Sequence, residues 1–219
     1  MKRVLEPEVM DGAAQAVAYA RADFADTNQG FVDEVLRRFP EARVARVIDL
    51  GCGPADIPLR LACAAPAASI LAVDAAPAML RLAREATRAH PDGGRVRLLC
   101  ARLPGLPVPD ATFDVVISNS LVHHLPDPSV FWREVRRVGR RGAAVHVMDL
   151  FRPESVARAR TIVEAAATDA DPILREDFFN SLLAALTPDE VRAQLDAADL
   201  AHLACDIVSE RHWLVSGRL

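Results

Sequence analysis

Gly51 and Gly53 stand in the stretch RVIDLGCGPADIPLRLA (46–62), directly after a short apolar run that carries one acid and directly before a helix-like segment. Residues without a Cβ allow unusual dihedrals and let a ligand come close to the main chain. The following apolar run ends in Asp74, roughly 23 residues past Gly51, where a carboxylate can accept hydrogen bonds from both hydroxyls of a ribose. A dinucleotide turn would set a pyrophosphate at the helix start, but Asp56 stands there and repels an anion. The pattern therefore favours a ribose-bearing ligand without phosphate. Asp49, just before the turn, can pair with an ammonium group.

Such a turn needs a scaffold, and the surrounding periodicities supply one. The first forty residues are helix-like: 11–26, then 30–39 closed by Pro40, with Phe31, Val35, Leu36 and Phe39 at helical spacing. Strand and helix then alternate. Strands are expected at 45–50, 69–74, 95–100, 111–118 and 142–150, and helices at 55–65, 76–90 and 128–139. Pro77 fits the first turn of its helix. Repeated strand–helix units imply an α/β fold with a doubly wound parallel sheet. Beyond 150 the chain is helix-like over 153–170 and 175–186. Thr187, Pro188 and Glu190 then spell a capping box opening a further helix at 187–200. The closing runs 201–209 and 211–219 are too closely spaced for a parallel crossover and suit an antiparallel hairpin.

The chain has 219 residues, 51% of them hydrophobic and 26% charged, which fits one globular domain with a substantial core. Its net charge of −4 gives no global attraction to nucleic acid or an acidic membrane. Lys2 is the only lysine, so arginine carries nearly all the positive charge. Cys52, Cys63, Cys100 and Cys205 have neither metal-ligand spacing nor the density of a disulfide framework, so reduced thiols, a cytoplasmic setting and no metal are expected. Glu6, Pro7, Glu8 and Asp11 interrupt the N-terminal segment, which does not read as a signal sequence. No apolar run reaches membrane-spanning length.

With VIDLGCGPA, Asp74 in AVDAAPAML, and LPVPDATFDVVISNSLVHHLPDP in view, the sequence resembles the class I S-adenosylmethionine-dependent methyltransferases over residues 44–150. The resemblance implies a Rossmann-like seven-stranded sheet with an antiparallel last strand, and S-adenosylmethionine as cofactor. It divides a single domain into a helical cap (1–40), a cofactor-binding core (44–150), substrate-selecting helices (151–186), and a helix with terminal hairpin (187–219). Carried over residue by residue, it sets Asp49 near the methionine ammonium and Gly51 with Gly53 beneath the methionine and ribose. Asp74 takes the ribose diol, Ala75 and Met79 the adenine, the Leu103 amide the adenine edge, and Ser118 with Asn119 the methionine chain. Two departures stand out: Ala55 where a third glycine is usual, and Ala101, Arg102 and Leu103 where an acidic partner for the adenine amine is common.

An activated methyl group asks an enzyme to exclude water, align the nucleophile and remove its proton. His123 and His124 stand where the family often places an active-site side chain, with Asp149 and Tyr19 as further catalytic candidates. Arg152, Arg175 and Phe178 are substrate candidates on the segment after the fifth strand. The acceptor is expected to be a small molecule with an oxygen, nitrogen or carbon nucleophile, handled by a monomer or homodimer. Three rival readings stay open. The arginines of REVRRVGRR (133–141) could meet phosphates in a nucleic-acid or protein methyltransferase. Converging cysteines could run thiol chemistry, as in arsenite methylation. The fold could also bind its cofactor without catalysis.

Overall fold

Short β-branched runs become strands and the longer amphipathic stretches between them become helices in the computed structural model, which describes residues 1–7, 9–168 and 170–219. Glu8 of the N-terminal segment and Asp169 of the expected helix 153–170 lie outside the described residues. Five strands, β1 (Arg46–Leu50), β2 (Ser69–Asp74), β3 (Val96–Cys100), β4 (Phe113–Asn119) and β5 (Gly139–Leu150), pair in parallel. The closing hairpin, β6 (Ala204–Ile207) and β7 (His212–Arg218), adds β7 antiparallel to β5 and β6 antiparallel to β7. The resulting order is β3-β2-β1-β4-β5-β7-β6. Chain direction through the sheet therefore switches between β1 and β4, the place where open α/β sheets bind ligands.

Among the described residues eight α-helices accompany the strands: α1 (Ala13–Arg21), α2 (Ala25–Arg38), α3 (Asp56–Ala64), α4 (Pro77–Ala89), α5 (Ser129–Val138), α6 (Val156–Ala166), α7 (Pro172–Ala184) and α8 (Pro188–Ala197). Alternation along the central strands splits the core. Val47, Val115, Ile117 and Ala144 face Phe31, Val35, Leu61 and Leu80 of α2, α3 and α4. Ile48, Val116, Val145 and Val147 face Phe131, Trp132, Val135, Val191 and Leu195 of α5 and α8. The Trp132 indole also donates to Gln194 Oε1 at 3.1 Å, locking α5 to α8. At Thr187 both halves of the capping box form, as its spelling predicts.

The structure departs from the sequence-based expectation at three places. The helix expected over 11–26 breaks after Arg21, because the Asp23 carboxylate accepts the Ala25 amide at 3.1 Å and starts α2 afresh. β5 begins directly at Gly139, where a Cβ would lie 2.4 Å from a Leu219 methyl, so strand follows helix without a loop. The described residues among the first twelve, 1–7 and 9–12, carry no helix and form a strap. The Val4 amide bonds to the Leu183 carbonyl, and Arg3 donates to the carbonyls of Ala184, His123 and Leu125. Farther along, Asp11 accepts the Ala78 amide at the start of α4. The strap thus ties α7, the turn at Val122–His124 and α4 together across the carboxyl ends of the strands. The strap, α1 and the first turn of α2 reach that edge, while Phe31, Val32, Val35 and Leu36 of α2 pack into the sheet's own core.

Candidate functional site

At the carboxyl edge of β1, the chain reverses through positive φ at three alternate residues: Gly51 at φ +79°, Gly53 at φ +53° and Ala55 at φ +70°. Only glycine suits the first, since a Cβ there would also press on the Leu121 side chain at 2.9 Å. Ala55 adopts the left-handed conformation in the position where the resembled motif usually carries glycine. Its buried methyl is retained despite a cost of about 1–2 kcal/mol for an L-residue in that region. The Gly51 and Cys52 amides both donate to the Val73 carbonyl, so the turn is stapled to the end of β2.

That staple fixes Asp74. Its Oδ2 accepts the Gly53 amide at 2.8 Å and its Oδ1 the Ala76 amide at 2.8 Å. Each oxygen keeps a further lone pair for a ligand hydroxyl. Burial pushes this carboxyl up, while the amides of Ala76, Gly53 and Ala75 hold it down; the net direction is up. Asp49 is 2% exposed at the floor, and burial together with the Asp74 charge pushes it up to about 8. A cation beside this pair relieves both carboxylates. Asp56 occupies the N-terminus of α3, engaged by Arg60 and Asn28 at 2.8 Å each, so the anion position there is already filled.

Asp49, Gly51, Gly53, Asp74, Ala75, Met79, Leu103 and Asn119 all line one cavity of about 1640 Å³. Leu103 is carried there by the loop after β3, whose Gly105 and Leu106 amides are held by the buried Glu134 of α5. Ser118 does not reach the cavity: it points across the sheet, fully buried, and donates to the Leu50 carbonyl at 2.7 Å. Tyr19 lines the cavity beside Gly53 and packs at 5.1 Å on Phe24. Burial pushes its phenol up to about 12, so it stays protonated at neutral pH.

The opposite wall carries His123 and His124, the rings 4.2 Å apart. His123 Nδ1 meets Asp149 Oδ1 at 2.5 Å, and the second Asp149 oxygen accepts the His123 amide. Asp149 is fully buried and outside the cavity, so it orients His123 and touches no ligand directly. Burial would push His123 down, but the charge and hydrogen bond of Asp149, with Glu6, carry it up; Asp149 correspondingly moves down. His124, also buried, is pushed down to about 3. Glu6 of the strap closes this wall, 3.5 Å from His123 Nε2 and 3.3 Å from His124 Nδ1, and burial pushes it up to about 7.

Two substrate candidates lie elsewhere. Arg152 is 7% exposed and spends its guanidinium on the Ala185 carbonyl and on Glu190, so it braces α8 outside the cavity. Arg175 also stays outside the cavity; its guanidinium reaches back to the Thr168 carbonyl. Phe178 does line it, with the Arg211 guanidinium 5.7 Å from its ring. Glu6, Asp177, Arg211 and His212 were not singled out from sequence. A signal existed for the last two. A strand antiparallel to β5 must begin where β5 ends, and His212 pairs with Leu150 there. Glu6 gave none, because only the path of the strap brings it in.

A family model described as a methyltransferase domain matches residues 48–147. The chain is 37% identical over 130 residues to malonyl-acyl-carrier-protein O-methyltransferase of Halorhodospira halophila, covering 58% of this chain and 43% of that one. It is 38% identical over 101 residues to trans-aconitate 2-methyltransferase of Methylobacterium nodulans, covering 46% and 38%. The aligned part therefore spans less than half the length of these relatives. The crystal structure of an S-adenosylmethionine-dependent methyltransferase from Aquifex aeolicus superposes with a TM-score of 0.69 at 19% identity, covering 93% of this chain and 97% of that one, which shows a shared fold. Residues 48–147 thus match a methyltransferase domain, and the chain as a whole shares the fold of S-adenosylmethionine-dependent methyltransferases.

Proposed function

We propose that this chain transfers a methyl group from S-adenosylmethionine to a nucleophilic atom of a small molecule. The observation that carries the reading is Asp74, held by two backbone amides at the lip of a cavity whose floor is Asp49 and whose far wall is a histidine pair. This donor set fits a cationic nucleoside without phosphate. Asp74 would take the ribose diol, Asp49 the methionine ammonium, and Ala75, Met79 and Leu103 the adenine, with Asn119 and Tyr19 near the methionine end. When bound, the cofactor supplies a methyl group already activated on a sulfonium.

The chain's own part is then alignment and exclusion of water. The strap and α1 cover the carboxyl edge, so the reacting atoms would be enclosed. Asp149 fixes the His123 ring, and we assign the His123 and His124 wall, together with Phe178, to the acceptor. The nucleophile is an oxygen, nitrogen or carbon atom, and the relatives' printed activities, on malonyl-acyl-carrier protein and on trans-aconitate, support a small acceptor group. Four cysteines, all free thiols, support a cytoplasmic setting.

Local ion pairs weigh against the nucleic-acid alternative. Arg133, Arg136, Arg137 and Arg140 each face a carboxylate, of Asp127, Asp199, Glu134 with Asp110, and Asp114. The thiol alternative fares no better: among the described residues no metal-ligand cluster includes a cysteine. The test is turnover with methyl-labelled S-adenosylmethionine and a panel of small acids, phenols and quinols. With an acceptor in hand, His123→Ala should lower turnover by about 10²–10⁴-fold while leaving cofactor affinity nearly unchanged. Unaltered turnover would remove His123 from the mechanism, and tight cofactor binding with no transfer to any acceptor would favour a non-catalytic role.

A further inference from the structure

We propose that Glu6, His123 and His124 form a binding site for a divalent transition-metal cation, zinc being the best-matched ion. Asp149 Oδ1, 2.5 Å from His123 Nδ1, accepts a hydrogen bond from that nitrogen, so in the neutral ring the lone pair lies on Nε2. That lone pair faces Glu6 Oε1 at 3.5 Å. His124 Nδ1 is buried without a hydrogen bond and lies 3.3 Å from the same oxygen. Three acceptors thus converge. One extra proton satisfies one of the gaps and leaves the other, whereas a cation between them satisfies all three.

The spacing agrees with coordination. Metal bonds to imidazole nitrogen and carboxylate oxygen of about 2.0–2.2 Å, opened to the tetrahedral angle, set neighbouring ligand atoms about 3.3–3.5 Å apart. The two measured separations from Glu6 are 3.3 and 3.5 Å, and all three ligand atoms lie within 4.8 Å of one another. Outer-shell support is in place as well. Asp149 orients His123, Ser181 Oγ donates to both Glu6 oxygens at 3.2 and 3.3 Å, and Arg3 pins the carbonyls of His123 and Leu125. Two imidazoles and one carboxylate select first-row transition ions over magnesium or calcium, which prefer all-oxygen shells. Since His123 and His124 line the cavity, a remaining coordination position would be open to it. Binding of the cation does not depend on the methyl-transfer reading and is measured without turnover.

The experiment strips the purified chain with chelator and titrates zinc against a chromophoric indicator, then repeats the titration with cobalt, following its visible absorption. One equivalent of zinc is expected, with intense tetrahedral cobalt bands. Asp149→Asn should weaken binding about 10–100-fold. Glu6→Gln and His124→Ala should abolish the cobalt bands, with the far-ultraviolet dichroism of each variant checked against the parent. No zinc bound by the parent chain, an aqueous cobalt spectrum, or binding that survives in both folded ligand variants would each overturn the proposal.

Discussion

Local motifs and long-range packing divide the site residues sharply. Asp49, Gly51 and Gly53 reach the cavity because a strand end and a tight turn fix them within a few residues, and the turn's bonds to Val73 and Asp74 bring Asp74 in beside them. Ser118, Asp149, Arg152 and Arg175 do not, because their directions are decided by distant partners: the Leu50 carbonyl, the His123 ring, Glu190 with Ala185, and Thr168. Asp49 makes the clearest prediction at this scale. A cationic ligand needs its ionised form, yet burial and Asp74 push it up to about 8. Cofactor affinity should therefore rise with pH up to about 8, and Asp49→Asn should flatten the profile; calorimetric titration across pH 6–9 measures it. The ligand-free fold has the opposite trend. Because the folded value lies above the ordinary 3.8, the protonated carboxyl stabilises the fold at low pH, and that contribution is lost as pH rises through about 8. Denaturation of the parent chain and Asp49→Asn compared at pH 5 and 8 checks the sign.

Elements were legible where one periodicity ran without competition. All seven strands and the amphipathic helices of the core form close to where the sequence sets them. The failures have local causes. Asp23 restarts a helix that composition alone would continue, and Gly139 lets a strand follow a helix without a turn. The strap of residues 1–12 has no periodicity to read, since its bonds go to α7, α4 and the histidine turn. The capping box on α8 offers a test of an element the sequence specified. Thr187→Ala should cost about 1 kcal/mol. Glu190→Ala should cost more, because it also strips the nearly buried Arg152 of its carboxylate. Urea unfolding of both variants ranks them, and an equal or reversed order would mean that Arg152 does not depend on Glu190.

Taken whole, the molecule is a switch-point α/β sheet with a strap and helices gathered over one edge. Sheet order brings β2, β1 and β4 side by side, so Asp74, Asp49 and the histidine pair from three distant segments share one cavity. Of the surface arginines in 133–141, Arg133, Arg136, Arg137 and Arg140 are drawn into local ion pairs. The central claim is that this cavity holds a phosphate-free nucleoside sulfonium, anchored by Asp74 and excluded from dinucleotides by Asp56. Calorimetric titration of the purified chain with S-adenosylhomocysteine, S-adenosylmethionine and NAD tests it most directly. The account predicts one site for each of the first two ligands, none for NAD, and affinity lowered at least about tenfold in Asp74→Ala, the loss of hydrogen bonds to a charged acceptor. Binding of NAD in preference to S-adenosylmethionine, or undiminished affinity in Asp74→Ala, would contradict it.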